Sequence, residues 1–319
     1  MTEKKVTLKT IADDVGVSIS VVSRVLNNKK KRISITPQTK RRILESAINH
    51  NLRINNNIGI FIPDSIMNYD LIHYPFVAGV FSQAHEYGYG VFCTSFSDNM
   101  TIKDIPGFLE ERKVSGVIFV GEISGVITDF LTENMIPYVL ADISGKPEPE
   151  NCISIDYYGT TLALLNYLKS QGYREYIFVN NLESNTSAFT QIEFNCFEQF
   201  LADNSYQGEI LYNRNDMDDC LKRLSGKIEN STPQTALIAE SRLLTVEILK
   251  LLSLHNKVPF KDIGLVGNNL LSEYTIPRLI SVKYDFHNIG EKTVVIMHKI
   301  LENKHKPMHK AIVAGKILK

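Results

Sequence analysis

Over the first fifty residues the apolar positions recur every three or four, the spacing of one helix face. Leu8, Ile11, Ala12 and Val15 form one such stripe behind Thr7, whose hydroxyl suits an N-cap. Gly16 stands where a tight turn needs positive φ, and Ser18 can cap a second stripe of Val21, Val22, Val25 and Leu26. In "ITPQTKRRILESAINH", Thr36 takes the N-cap and Pro37 the first helical position, while Ile43, Leu44, Ala47 and Ile48 share a face. The pattern predicts a small all-α head over 1–55, three helices around one core, the first two joined as a helix-turn-helix.

After residues 56–57, a linker, the period changes. "IGIFIPD", "YGVFCTS", "VSGVIFV" and "IPYVLAD" are short β-branched apolar runs, the pattern of strands buried on both faces. Amphipathic segments such as "AGVFSQAHEYG" and "IPGFLEERK" alternate with them. A second set follows the same plan, with "CISID", "EYIFVNN", "GEILYN", "TALIAES" and "IGLVGNN" as its strands. The body over 58–319 therefore reads as α/β, two doubly wound parallel-sheet halves, with ligand expected at the carboxyl ends of the strands.

Net charge is zero over 319 residues, but the two parts differ. Met1 to Asn57 holds twelve Lys and Arg against four Asp and Glu, a net of +8, and the remainder carries 23 against 31, a net of −8. A basic head on an acidic body points to double-stranded DNA as partner of the head alone, because phosphate attraction supplies most non-specific affinity. No apolar run approaches the roughly 18 residues that span a bilayer, and "MTEKK" has no h-region, so the expectation is a cytoplasmic protein without membrane contact. The cysteines at 93, 152, 196 and 220 are scattered, as in a reducing compartment.

A helix-turn-helix lays its second helix in the major groove with its N-terminal residues at the base edges. Ile19, Ser20, Val21 and Arg24 are then the candidate groove-facing residues. Arg24 can pair bidentately with guanine, Ser20 can donate or accept, and Ile19 can meet a thymine methyl. Thr7, Leu8 through its backbone amide, Ser18, Ser23, Asn27 and Lys29 would hold phosphates and set register.

No catalytic constellation accompanies these residues: there is no phosphate loop, no G-x-S-x-G elbow and no H-E-x-x-H. His298, His305 and His309 match no metal spacing. The chain is expected to be no enzyme and to need no cofactor or metal.

The stretch "TLKTIADDVGVSISVVSRVLN" resembles the head of the lactose-repressor family of bacterial transcription regulators, and the resemblance runs over nearly the whole chain. The insertion "KKKRIS", Lys29 to Ser34, resembles the galactose and β-galactosidase operon repressor branch. The resemblance implies a periplasmic-binding-protein-like body, operator binding as a homodimer, and a sugar or sugar derivative as effector. It also implies a crossing chain, with subdomain 1 at about 58–155 and 286–306 and subdomain 2 at about 156–285 and 307–319. On that pattern "DFHNIGEKTVVIMHKILENK" packs on the first half and "AIVAGKILK" returns to the second.

Two departures stand out. The family's tyrosine-arginine-proline-asparagine motif becomes "NLRIN", and only Asn56 and Asn57 separate it from Ile58, a tether on the order of 10 Å. A minor-groove hinge helix does not fit there, which leads to the expectation that the head docks close to the body. The second departure concerns the effector positions. Family positions carried over residue by residue give Asp70, Ile72 and His73 after the first strand, then Gln191, Glu240 with Ser241, Asn269 and Tyr284. A register shift of two places Glu193 where the ungapped count places Gln191.

Such a body changes angle with ligand and thereby presents its heads at a better or worse spacing for an operator. A solute-binding transport protein would share the body but has no use for the basic head. A ligand-independent DNA-binding factor would keep the head and ignore the cleft.

Overall fold

A computed structural model of the chain describes residues 6–26, 35–50, 52, 56–64, 74–97, 100–121, 123–143, 151–180, 188–212, 217–272, 274–302 and 310–318. The head holds α1 (Leu8–Val15), α2 (Ile19–Leu26) and α3 (Pro37–Asn49). Their apolar stripes close on one core of Ile11, Ala12, Val15, Val22, Val25, Ile43 and Ala47. α1 stops because Gly16 adopts φ 74°, and its N–H returns to the Ala12 carbonyl at 2.9 Å. α3 starts at Thr36, whose hydroxyl oxygen accepts from the Thr39 N–H at 3.2 Å. Arg42 Nη2 donates to the Val15 carbonyl at 3.1 Å, placing a cation at the negative end of α1.

The body contains two six-stranded sheets. The first has the order β11-β5-β4-β3-β1-β2, from β1 (Asn57–Pro63), β2 (Gly90–Phe96), β3 (Val114–Val120), β4 (Tyr138–Ile143), β5 (Cys152–Asp156) and β11 (Lys310–Ala314). Its helices are α4 (Tyr74–Glu86), α5 (Asp104–Arg112), α6 (Gly125–Glu133) and α12 (Phe286–Leu301). Ile58 to Ile62 are all buried, as a strand covered on both faces requires. The second sheet has the order β12-β10-β9-β8-β6-β7, from β6 (Glu175–Asn180), β7 (Gln207–Tyr212), β8 (Thr235–Ala239), β9 (Gly264–Asn268), β10 (Ile280–Lys283) and β12 (Lys316–Leu318). α7 (Tyr157–Ser170), α8 (Ala188–Asn204), α9 (Met217–Glu229), α10 (Arg242–Leu254) and α11 (Asn269–Ser272) belong with it. Phe194, Phe197 and Phe200 of α8 pack there with Leu164, Leu165 and Leu168 of α7.

The chain divides into one unit of Met1–Ser154 with Asp285–Ile312 and another of Ile155–Tyr284 with Val313–Lys319. This corrects the reading of the C-terminal segment, which assigned all of "AIVAGKILK" to the second half and began the return at 307. Lys310–Ala314 joins the first sheet beside β5, and only Lys316–Leu318 pairs with β10, antiparallel. The switch occurs at Gly315, whose N–H donates to Thr160 Oγ1 at 2.9 Å. A Cβ at that position would overlap Thr160, Tyr284 and Val282, so the close approach requires glycine. One apolar run thus serves two sheets.

The head belongs to the first unit. Leu52 N–H closes on Ala47 at 2.9 Å, and by Asn56 the chain already bonds β2, its carbonyl accepting from Gly90 N–H at 2.7 Å. No hinge helix occurs among the described residues, and residues 53–55 lie outside them. Lys40 of α3 donates to Asn134 Oδ1 at 3.4 Å, just past α6. The Asn134 amide is oriented for this, because its Nδ2 donates back to the Phe130 carbonyl at 2.9 Å and leaves the oxygen outward. The ammonium also meets the negative end of α6. Head amides are therefore expected to tumble with the body in 15N relaxation measurements, and Lys40→Ala to shorten their correlation time. Heads that tumble independently in the unmodified protein would contradict this contact.

Candidate nucleic-acid interface and effector site

Short helices with well-defined ends fix the candidate DNA-reading surface. Thr7 is exposed ahead of α1, its N–H donating to Thr10 Oγ1 at 3.2 Å. Leu8 is partly buried, and its N–H belongs to the first-turn donors that an α-helix leaves without intrahelical partners. Ser18 is exposed and accepts the Val21 N–H at 3.4 Å, with its hydroxyl 2.8 Å from that of Ser20. Ile19 is 46% exposed, an apolar side chain standing free at the first position of α2.

The structure treats the rest of the DNA set differently. Val21 is partly buried against the head core, so its side chain serves packing first. Ser23 is partly buried. Arg24, in the last turn of α2, is half-buried, and its Nη1 is covered with no hydrogen-bond partner among the described residues. A shielded donor of that kind is costly, and a partner outside the head would remove the cost. Asn27 and Lys29 lie outside the described residues.

Of the effector set, Asp70, Ile72 and His73 lie outside the described residues, and Asn269 starts α11 with its side chain likewise outside. Of the remainder, Glu240 and Tyr284 follow strands of the second unit, and Gln191 lies on α8. Asn180 ends β6 and is buried. Glu240 follows β8, and its N–H donates to the Val179 carbonyl at 3.2 Å. The Ser241 hydroxyl is occupied as the cap of α10, accepting from Leu244 N–H at 3.2 Å. Tyr284 follows β10, its ring centroid 5.4 Å from that of Tyr157 and tilted by 59°.

α8 decides between Gln191 and Glu193. Residues two apart on a helix point about 200° apart, so both cannot face the strand ends. Phe194, Cys196, Phe197 and Phe200 are buried and mark the inner face. Gln191 spends its amide along the outside, donating from Nε2 to Oδ1 of the exposed Asn195 at 2.8 Å. Glu193 instead meets Thr161 of α7 through a side-chain hydrogen bond and lies within electrostatic reach of Glu240. Burial first, and Glu240 second, push its carboxyl up to about 8 against the weaker opposing pull of Thr161. Burial, with Glu193 and Asp156 adding, also pushes the Cys196 thiol up to about 11, so it stays protonated. The ungapped count and the shifted one thus fall on different faces of α8, with Gln191 and Glu193 both partly buried. Tyr157, Thr161 and Asp156 lie outside the carried-over set, and the helical wheel of "AFTQIEFNCF" puts Glu193 on the face of Phe197 and Phe200.

Among the described residues no group of His, Cys, Asp and Glu is arranged to hold a metal, and no helix is long and apolar enough to cross a membrane.

Residues 7–53 match the model described as bacterial regulatory proteins, lacI family, and residues 165–318 match a periplasmic binding protein-like domain. The HTH-type transcriptional regulator GalR of Streptococcus thermophilus is 28% identical over 320 residues, covering 92% of each chain. The transcriptional regulator CelR in complex with cellobiose shares the fold at TM-score 0.68 and 17% identity, over 99% of both chains. The lac repressor dimer bound to operator and the anti-inducer ONPF does so at TM-score 0.67 and 17% identity, over 99% of this chain and 98% of that one.

Proposed function

We propose, on the premise that this chain belongs to the lacI family of bacterial regulatory proteins, that it represses sugar-utilisation genes as a homodimer under a carbohydrate effector. It is a DNA-binding transcriptional regulator. It acts by binding rather than by catalysis. The observation that carries the reading is the head, where a compact three-helix core holds Ile19, Ser20 and Arg24 on one short helix behind a Gly16 turn. Ser18 and Thr7, exposed at the starts of α2 and α1, would anchor phosphates beside it.

The effector reading rests on the polar residues at the strand ends of the second unit and on the company the chain keeps. The CelR structure is a cellobiose complex and the lac repressor structure an operator-bound dimer. Glu240 and Tyr284 offer a hydrogen-bonding acid and an aromatic platform, the pairing that suits a sugar's hydroxyl edge and apolar face.

The test is binding to the operator recovered by selection from random duplexes. Arg24→Ala is expected to cost roughly 1–3 kcal/mol on that operator and to relax preference at one base pair. Measured by fluorescence anisotropy, equal losses on operator and random DNA would show that Arg24 holds phosphate and reads no base.

A further inference from the structure

We propose that the head reads DNA while fixed to the first unit, so that the protein takes a straight duplex through its major groove alone and enforces one half-site spacing. This deepens the operator-binding reading and rests on it.

The head is held at two separate places. Leu52 packs against the head core, and its N–H bonds the Ala47 carbonyl at 2.9 Å. By Asn56 the chain belongs to the first sheet: the Asn56 carbonyl accepts from Gly90 N–H at 2.7 Å, and Asn57 Nδ2 donates to the Arg112 carbonyl at 2.9 Å. Three residues separate Leu52 from Asn56, fewer than one helical turn, whereas even a two-turn helix takes about seven. The second place is the Lys40 ammonium on Asn134 Oδ1, a short loop before β4. β1 and β4 run parallel on either side of β3, two strand spacings or roughly 10 Å apart. A single tether is a swivel, but two tethers on different strands fix an orientation.

The docked head keeps its reading surface open. Thr7, Ser18, Ile19 and Ser20 are all exposed while Lys40 is held on Asn134, so docking does not mask the DNA-reading residues. A duplex kinks where a protein wedges side chains between base steps of the minor groove. With Leu52 on the head core and Asn56 on the sheet, no segment remains between them to reach that groove. The base pairs between two half-sites are then neither touched nor deformed, and their identity carries no affinity. Their number does. One added base pair turns the second half-site by about 35° and moves it by about 3.4 Å, and heads fixed to a dimer's two bodies cannot follow.

The operator recovered from random duplexes is used in three forms: as selected, with its central base pairs exchanged at constant length, and with one base pair inserted at the centre. Each is titrated by fluorescence anisotropy with the full-length protein, with Lys40→Ala, and with a Cys93→Ser protein carrying Lys40→Cys and Asn134→Cys. Cys93 is replaced because it is exposed. The cysteine pair is measured before and after bridging with 1,2-bis(maleimido)ethane. The expected result is an effect under threefold for the central exchange and a loss of tenfold or more for the insertion. Lys40 is a positioning residue, so Lys40→Ala should reduce the insertion penalty at least threefold. The bridged protein should bind the selected site within threefold of its unbridged form, and energy transfer between dyes on the duplex ends should be the same with and without protein. A larger loss on bridging, a larger effect of the central sequence, an insertion penalty under tenfold or one that Lys40→Ala leaves unchanged, or duplex ends drawn together by the protein would each overturn the fixed head and leave operator binding standing. Recovery of no operator would overturn both.

Discussion

Gly290→Ala is expected to lower the stability of the first unit by about 2–3 kcal/mol, although alanine is the better helix former by about 1 kcal/mol. The reason is the crossing of α4 and α12. A Cβ on Gly290 would overlap the Phe76 carbonyl oxygen, and a Cβ on Gly79 would overlap that of His287. The two helices therefore touch backbone to backbone at reciprocal glycines, and neither obstacle is a side-chain end that could swing away. A single methyl must push the helices apart and open space around Phe76, Val80, Ile289 and Val294, all of them at most 1% exposed. Overpacking outweighs propensity here because the clash involves main chain. Gly226→Ala is the matched control: Gly226 lies in α9 with open space where a Cβ would go, and its replacement should stabilise by up to about 1 kcal/mol. Urea unfolding of both variants decides the matter, and equal gains for the two would mean that α4 and α12 do not meet this closely.

Glu193→Gln is expected to stabilise the second unit, by an amount that grows with pH. Burial raises the folded-state carboxyl to about 8, against an ordinary value of about 4.5. Between those limits the folded chain binds more protons than the unfolded one, so the stability contributed by this group falls as pH rises. Glutamine has no proton to lose, keeps an oxygen for Thr161 and no longer opposes Glu240. Each tenfold change in proton affinity is worth about 1.4 kcal/mol, and the gain should reach on the order of 4 kcal/mol by pH 8 and nearly vanish below pH 4.5. Thermal or urea unfolding of the two proteins at pH 4.5, 6 and 8 measures it. A difference that stays constant with pH would show that the residue does not titrate as its surroundings dictate.

The head was legible because its boundaries are written in residue types with one conformational use. Gly16 supplies the left-handed turn, and Thr36 with Pro37 starts α3. The inner strands were legible as continuous β-branched runs buried on both faces, as in β1, whereas "YGVFCTS", read the same way, forms the edge strand β2 with Phe92 and Cys93 exposed. Two features escaped for physical reasons. The final strand pair shares one apolar run, and only the packing of Gly315 against Thr160 and Tyr284 reveals where it changes sheets. The inward residue of α8 depends on helical phase, and counts that differ by two positions fall on opposite faces. Gln191 and Glu193 are chemically equal candidates until the aromatic residues beside them are seen to be buried. Val21 shows a third limit: at the edge of a small core, one side chain can be counted for the groove and still be claimed by packing.

The central claim is that a DNA-reading head and a carbohydrate-sensing body act as one switch. The most direct test is to select duplexes from a random library with the full-length protein, then titrate the recovered sequence with and without D-galactose, maltose and cellobiose. The account predicts one enriched two-fold-symmetric site, bound at least a thousandfold more tightly than random DNA, with an affinity that at least one of these sugars changes tenfold or more. Enrichment of no sequence, or a site whose affinity none of the sugars alters, would contradict it.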